Sequence, residues 1–275
     1  ASDVYKRQAF FQAENCQVER VESRMDAFQK AEGCWAGRVE AVRNAFKEAE
    51  RCLITEKVKA GEIKDIDEIL DSGQTILEPE IVDALLDLEA DLIFIGQAKG
   101  KFGGGKRRAF RSTQKKTEEG NKIHFEAMAV VGDKNGHVGI GYGKSTDTLP
   151  AREKAIRNAK LNIFRIRRGC GSWQCSCRES HSIPFKVVGR EGSVEVTLMP
   201  APKGKGIVAE KEVAKVLRLA GIRDVWMKSR GQTRTKVNLI KALEKALKNL
   251  STTRIQEKHI DMLNLSEGSR KLYGE

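Results

Sequence analysis

The segment Phe125–Asn162, FEAMAVVGDKNGHVGIGYGKSTDTLPAREKAIRNAKLN, reads as strand, tight turn, strand and helix. Phe125, Ala127, Ala129 and Val131 alternate along the first strand, the period of a strand buried on one face. Asn135-Gly136 then supplies the strongest short hairpin signal, because both residue types tolerate positive φ. In the return strand Val138, Ile140 and Tyr142 point one way, and Gly139, Gly141 and Gly143 the other. The glycine side carries no side chains, so a helix or another backbone can approach it closely. Thr148 is placed to cap the following helix, with Pro150 in its first turn, where a missing N–H costs little. The expected buried stripe is Ala151, Ala155, Ile156, Ala159 and Ile163, which leaves Arg152, Lys154, Arg157 and Lys160 on the surface. A glycine-faced hairpin beside a basic helix points to phosphate as a partner.

Charge continues outward from this unit in blocks. From Arg152 to Arg168 there are seven bases and one acid, with Arg165, Arg167 and Arg168 closing the run. Upstream, Gly96–Lys122 holds nine bases, among them Arg107, Arg108, Arg111 and Lys122, against Glu118 and Glu119. Its core, Gly100-Lys101-Phe102-Gly103-Gly104-Gly105-Lys106-Arg107, falls one residue short of a P-loop, because Arg107 stands where a hydroxyl would hold Mg²⁺. It reads as a flexible arm for RNA phosphates, and Glu118–Lys122 as a hairpin tip. Before it, Gly61–Ile95 inverts to eleven acids and one base, a segment expected to face solvent or basic proteins, with Ile81, Ala84, Leu85 and Leu88 as its helical stripe. Overall, 50 Lys and Arg against 38 Asp and Glu give a net charge of +12, which favours a polyanionic partner. No apolar run is long enough to span a membrane. No secretory leader is legible, so the six cysteines are expected to be cytosolic thiols or metal ligands.

A second unit begins near Ile183. Gly189–Gly192 turns a hairpin, and Val194, Val196 and Leu198 alternate in its second strand. Lys203-Gly204-Lys205-Gly206 runs toward a helix with the stripe Ala209, Val213, Val216, Leu217 and Ala220, an arrangement suited to an anion. A strand at Arg223–Lys228, a loop carrying Arg230 and Arg234, and a helix burying Ile240, Leu243, Leu247 and Leu250 complete a sheet backed by two helices. A partly mobile tail is expected beyond Ser251. The histidines are scattered, without a nucleophile–base pair; His124 and His137 read as ordinary strand-surface residues, and Trp35, Trp173 and Trp226 as packing residues.

The runs AVVGDKNGHVGIGYGK, RRGCGSWQC, HSIPFKV, GSVEVTLMPAPKGKGIVA, LAGIRDVW and SRGQTRT occur in this order. In them the chain resembles the universal small-subunit ribosomal protein five family, archaeal and eukaryotic type, over about Lys57 to Leu250. The resemblance implies an α+β protein of two domains: a double-stranded-RNA-binding-like unit, then an α/β two-layer domain with a left-handed crossover. It also implies a non-enzymatic, cytoplasmic constituent of the small subunit that binds rRNA and supports assembly and decoding accuracy. Its expected neighbours are small-subunit ribosomal proteins two, four and eight and the path by which mRNA enters, with no membrane. In that family the glycine-basic loop reaches toward the decoding region, and Asn121 here replaces a usual basic residue. The residues expected to carry RNA affinity are Arg107, Arg108, Arg111, Lys122, Arg152, Arg157, Arg165, Arg167, Arg168, Lys203, Lys205, Arg230 and Arg234. The alternative is a phosphate-handling enzyme, since by analogy small-molecule kinases share the second unit's fold type. Against it, Gly206-Ile207-Val208 stands where those kinases carry two serines.

These elements divide the chain into an RNA-binding domain at 106–182, an α/β domain at 183–250 and a tail at 251–275. An acidic lead-in and basic arm occupy 55–105, and a helical extension 9–54. In the extension AFFQAENC, AFQKAEGC and AFKEAERC repeat every 18 residues, placing Cys16, Cys34 and Cys52 on one helix face. Successive cysteines would lie about 27 Å apart, beyond shared coordination. Residues 1–8 read as a translated sequencing-adaptor end, with the natural start expected to be missing.

Between the domains lies Cys170-Gly171-Ser172-Trp173-Gln174-Cys175-Ser176-Cys177-Arg178-Glu179-Ser180-His181. Cys170, Cys175, Cys177 and His181 are enough for a closed tetrahedral Zn²⁺ site, although the single-residue Cys175–Cys177 gap is tight for convergence. Reduced thiols, burial between the domains and a disulfide are the other readings, and Trp173 is expected to pack with or without the metal.

Overall fold

The computed structural model describes residues 54–55, 57–61, 63–97, 107–175, 177 and 179–272. The expectations for the adaptor end, the 18-residue repeats, Trp35 and the near-P-loop at 100–106 lie outside the described residues. The chain divides into two compact units, Ala1–Lys64 and Asp65–Glu275. Of the first, helical residues close in a turn where Gly61 N–H donates to Val58 O at 3.1 Å.

After helices α1 (Ile66–Asp71) and α2 (Pro79–Leu85), the first sheet is built on one long strand, β3 (Gly120–Gly132). On one edge β3 pairs in succession with β2 (Arg111–Thr117) and β1 (Glu89–Ile93), and on the other with β4 (His137–Ser145), all antiparallel. Helix α3 (Thr148–Leu161) follows, then β5 (Ile163–Arg165) on the far edge of β4 and β6 (Arg167–Arg168). The register sets Ala127, Ala129 and Val131 opposite Gly143, Gly141 and Gly139. This face takes α3, whose Ala151, Ala155 and Ala159 are fully buried. A Cβ on Gly141 would stand 2.7 Å from Ala159 Cα and closer still to Ala155 O and Ala159 N. The bare face is therefore occupied by the chain's own helix and does not face a phosphate.

Several local expectations change. Asp147 is the N-cap of α3 and Thr148 its first residue, while Ile163 belongs to β5 because the helix has ended at Leu161. In the β3–β4 turn the positive φ values fall on Lys134 (61°) and Gly136 (106°), not on Asn135. The Asp133 carboxylate selects this turn by accepting from Asn135 N–H (2.7 Å) and His137 N–H (3.0 Å). The β3 alternation also misleads: Ala127 to Gly132 are buried on both faces. Met128 and Val130 enter the main core from the side opposite α3.

That core is shared with the second sheet, ordered β7 (Val187–Glu191), β8 (Val194–Pro200), β10 (Val225–Arg230) and β9 (Ile207–Val208). Val194, Val196 and Leu198 are fully buried, as their spacing predicts. Helix α5 (Lys236–Thr252) backs this sheet through Ile240, Leu243, Leu247 and Leu250. Helix α4 (Lys211–Leu219) reaches the first sheet: Lys134 N–H donates to Leu219 O (2.9 Å) and Phe94 N–H to the Glu212 carboxylate (2.9 Å). Residues of both sheets form one hydrophobic cluster around Ile166, Ile183, Leu198 and Leu217. Contrary to expectation, α4 does not follow the Lys203–Gly206 loop directly. Strand β9 intervenes, and Glu210 as N-cap and Glu212 in the first turn take the positive end of the helix dipole.

Where a mobile tail is expected, the described residues to 272 carry regular structure. Helix α6 (Glu257–Leu263) leads into β11 (Ser266–Glu267) and β12 (Arg270–Lys271), and β11 pairs with β6. Leu265 is fully buried, which anchors the hairpin. The acidic lead-in also turns inward: Asp83 pairs with Lys160 (2.7 Å), Asp71 with Arg165, and Glu89 with Lys134. Its helices bury Ile66, Ile69, Ile81 and Val82, while Ala84 is exposed and Leu88 lies past the end of α2.

Candidate metal centre and nucleic-acid interface

Strand pairing brings Cys170, Cys175, Cys177 and His181 together despite the tight Cys175–Cys177 spacing. The Gly169–Ser182 bridge closes the loop like a neck, and Gly171 N–H donates to Ile183 O (3.2 Å). One ligand atom from each of the four residues lies within 4.8 Å of the other three. Cys177 Sγ is 3.6 Å from Cys170 Sγ, and Cys175 Sγ is 3.7 Å from His181 Nε2. A tetrahedral ion with bonds of about 2.3 Å to sulfur and 2.0 Å to nitrogen needs edges of roughly 3.6–3.8 Å. Cys175 Sγ and Cys177 Sγ, 3.0 Å apart, make a shorter edge than that, and all three thiols are free.

Beyond the four ligands, His181 Nδ1–H donates to Asp224 Oδ2 at 2.8 Å, which leaves the Nε2 lone pair toward the sulfurs. Asp224 is 4% exposed, and its other oxygen accepts from Gly206 N–H (2.7 Å). A carboxylate behind a histidine in this way fixes the ring and raises its donor strength. Hydrogen bonding from Cys177, then from the Lys203 and Cys177 backbone N–H groups, draws the Cys175 thiol down to about 6. Burial pushes Cys170 up to about 12. One thiolate thus forms near neutrality, and an arriving cation would displace the remaining protons. The cluster can hold a metal ion. Asp224 was missed by sequence inspection, because nothing local marks an aspartate that lies 43 residues from its histidine.

The bases singled out by sequence divide in two. Arg108, Arg111, Lys122, Arg152, Arg157, Lys205, Arg230 and Arg234 are exposed. The others have partners within the chain. Arg107 donates to Arg234 O (3.2 Å), and Lys203 pairs with Glu179 (2.8 Å). Arg165 bonds Asp71 and Glu267; Arg167 bonds Thr253 O (2.7 Å) and Glu267; Arg168 donates to Asn135 O (2.6 Å) and Gly268 O (3.0 Å). The last three tie the tail hairpin to the rest of the fold.

His137 is not a surface residue. At 1% exposure it lies between Asp133 (Nδ1 to Oδ2, 2.6 Å) and Asp67 (Nε2 to Oδ1, 3.0 Å). Burial alone would lower its pKa, but hydrogen bonds and charge from the two carboxylates hold it at about 9. Gly268 closes over the trio: a Cβ there would meet both Asp67 oxygens and His137 Nε2 at 2.8 Å. Trp173 also departs from expectation, for it is 90% exposed.

Two sheets on a shared core, eight exposed bases among those singled out and a Cys₃His cluster define a basic two-domain α+β protein. Residues 108–167 match the description "Ribosomal protein S5, N-terminal domain" and residues 189–259 "Ribosomal protein S5, C-terminal domain". The small ribosomal subunit protein uS5 of Nanoarchaeum equitans is 54% identical over 213 residues, 77% of this chain and 91% of the relative. Those of Methanocaldococcus jannaschii (47% over 216 residues, 78% and 93%) and Pyrobaculum calidifontis (50% over 193 residues, 70% and 88%) are similar. The chain belongs to the ribosomal protein S5 family.

Proposed function

We propose that the chain is a structural constituent of the small ribosomal subunit, bound to rRNA in the cytoplasm and serving translation. The observation that carries this is its 54% identity to a small-subunit protein over nearly that protein's whole length. Such a protein holds RNA through shape and phosphate contacts and is not an enzyme. The kinase-like alternative finds no support at its own loop. Gly206 N–H, which a kinase would offer to a phosphate, already donates to the Asp224 carboxylate.

The RNA surface is drawn from the thirteen bases named above, with Arg108, Arg111, Lys122, Arg152, Arg157, Lys205, Arg230 and Arg234 best exposed for it. The expected protein neighbours are small-subunit ribosomal proteins four, eight and two, beside the path by which mRNA enters. There the chain would support assembly and decoding accuracy. For the Cys₃His cluster the ion is zinc: three thiolates and one imidazole form a soft, closed donor set, and its role is structural. Ribosome co-sedimentation of the full chain tests the main reading, and Arg152→Gln/Arg157→Gln tests the surface. The double variant should bind rRNA more weakly, its salt slope reduced by roughly 0.7–0.9 per lost phosphate contact. A full chain that stays out of small subunits at physiological salt refutes the reading.

A further inference from the structure

Trp173 is the most exposed large hydrophobic side chain among the described residues, yet the backbone carrying it is held on every side. It sits at the corner of a turn closed by Cys175 N–H donating to Ser172 O (3.2 Å). Ser172 is buried, and Cys175 belongs to the thiol cluster. Cys170 N–H donates to Leu263 O (2.8 Å), and Gly171 lies so close to Pro184 that a Cβ would stand 2.5 Å from its carbonyl carbon. A free indole normally folds back onto apolar neighbours, because leaving it in water forfeits its burial. Here the turn points it outward, and the entropic cost of ordering its loop is already met by the fold.

What faces this turn is polar and basic. The Lys203 backbone N–H hydrogen-bonds the Cys175 sulfur, and the Lys203 ammonium pairs with Glu179. The Lys203–Gly206 loop therefore abuts the Trp173 loop. Gly204 (φ +88°) and Gly206 (φ +71°) have no atom within 4 Å of where a Cβ would stand, so the loop leaves open space on its outer side while Gly206 itself is tied to Asp224 and Val225. Lys205 and Arg223 are exposed, and Arg223 acts on Glu179 electrostatically. Asp224 is buried and bonded to His181 and Gly206, so the exposed charges are Lys203, Lys205 and Arg223 against Glu179. Beside a rigid aromatic face they suit a nucleotide, the π face taking any base and the cations its phosphate. A protein partner would favour an aromatic anchor with few charges around it, whereas Glu179, Lys203, Lys205 and Arg223 are all exposed on these neighbouring segments.

We propose that Trp173 is a stacking platform for an unpaired rRNA base, with Lys205 beside it contacting the phosphate. The proposal rests on the chain being an rRNA-binding protein. It is tested with the full chain, W173A, W173F and K205Q against a full-length archaeal small-subunit rRNA transcript, by filter binding across a KCl series. Chemical probing of unpaired bases accompanies each titration, and thermal melting confirms that all variants fold. W173A should weaken binding about 5- to 150-fold while keeping the parent salt slope, since it removes a stack and no charge. One unpaired base should lose protection, and W173F should restore it. K205Q should reduce the slope by roughly 0.7–0.9. Binding and base protection by W173A equal to those of a binding parent overturn the proposal alone. So does a W173A defect seen only when other ribosomal proteins are present, which would assign the indole to a protein. A parent chain without affinity for the transcript overturns the rRNA reading as well.

Discussion

Gly141→Ala adds one methyl group where α3 lies directly on β4. Its carbon would stand 2.7 Å from Ala159 Cα, against a carbon–carbon contact distance of about 3.5–4.0 Å, so the helix must retreat by about 1 Å. Its nearest neighbours, Ala155 O, Ala159 N and Ala159 Cα, are helix backbone, which cannot swing aside as a flexible side chain would. Tilting gives no escape, because Gly139 and Gly143 lie equally close to Ala159 and Ala151 along the same face. A gap of 0.5–1 Å forfeits about a quarter to a half of the dispersion well of each contact it opens. Those contacts join Ala127 and Ala129 to Ala151 and Ala155, and the Asn158 Nδ2–Tyr142 O bond (2.8 Å) stretches with them. The cost belongs at the upper end of the overpacking range, about 3 kcal/mol. For a unit of this size that lowers the melting temperature by roughly 6–12 °C. Gly73→Ala is the comparison: it meets no atom within 4 Å but has φ +70°, so it carries left-handed strain alone, about 1–2 kcal/mol. Urea and thermal unfolding of both variants, with hydrogen exchange of α3 amides, measure the difference. A Gly141→Ala protein as stable as the parent would refute the close packing of helix on sheet.

Metal analysis of reduced protein should find about one zinc per chain, lost in Cys175→Ser/Cys177→Ser together with part of the thermal stability. Folded, reduced protein without metal rejects the site. The His137 imidazolium, held at about 9 against 6.5 when unfolded, contributes stability that is complete below pH 6.5 and lost as pH rises through 9. The loss is about 3 kcal/mol, so the parent's melting temperature should fall over that window while that of His137→Gln stays flatter; parallel profiles would remove the charged trio from the account. Asp67 and Asp133 are held below the usual carboxylate range because the His137 bonds outweigh their burial. Their contribution is therefore lost only when pH falls through those lowered values. Ending the chain at Leu263 removes buried Leu265 and the Glu267 partner of Arg165 and Arg167. Stability should drop by at least about 2 kcal/mol and exchange should quicken at residues 165–168; unchanged exchange there would mean the tail carries no load.

Much of this protein is written in short-range pattern. Val194, Val196 and Leu198 announce their buried face by period two, and the stripe of α5 by period 3.6. The glycines at 139, 141 and 143 imply that something backbone-close covers them, and Cys170–His181 contains a full ligand set within one loop. Each of these signals lies within a few residues of chain, where geometry is set by local covalent repeat. What the sequence could not rank was which of many charged and apolar groups meet across long separations. Burial of β3 on its second face needs α4 and the second sheet. Ser269 reaches Asp67 across 202 residues. Arg165, Arg167 and Arg168 read as one basic run, and only the fold shows the tail hairpin giving them intrachain partners. Trp173 is apolar by composition and exposed by position, because the turn that carries it is closed from below by the cluster and the neck. Such pairings depend on which surfaces the packed core brings together, and only the tertiary structure decides that.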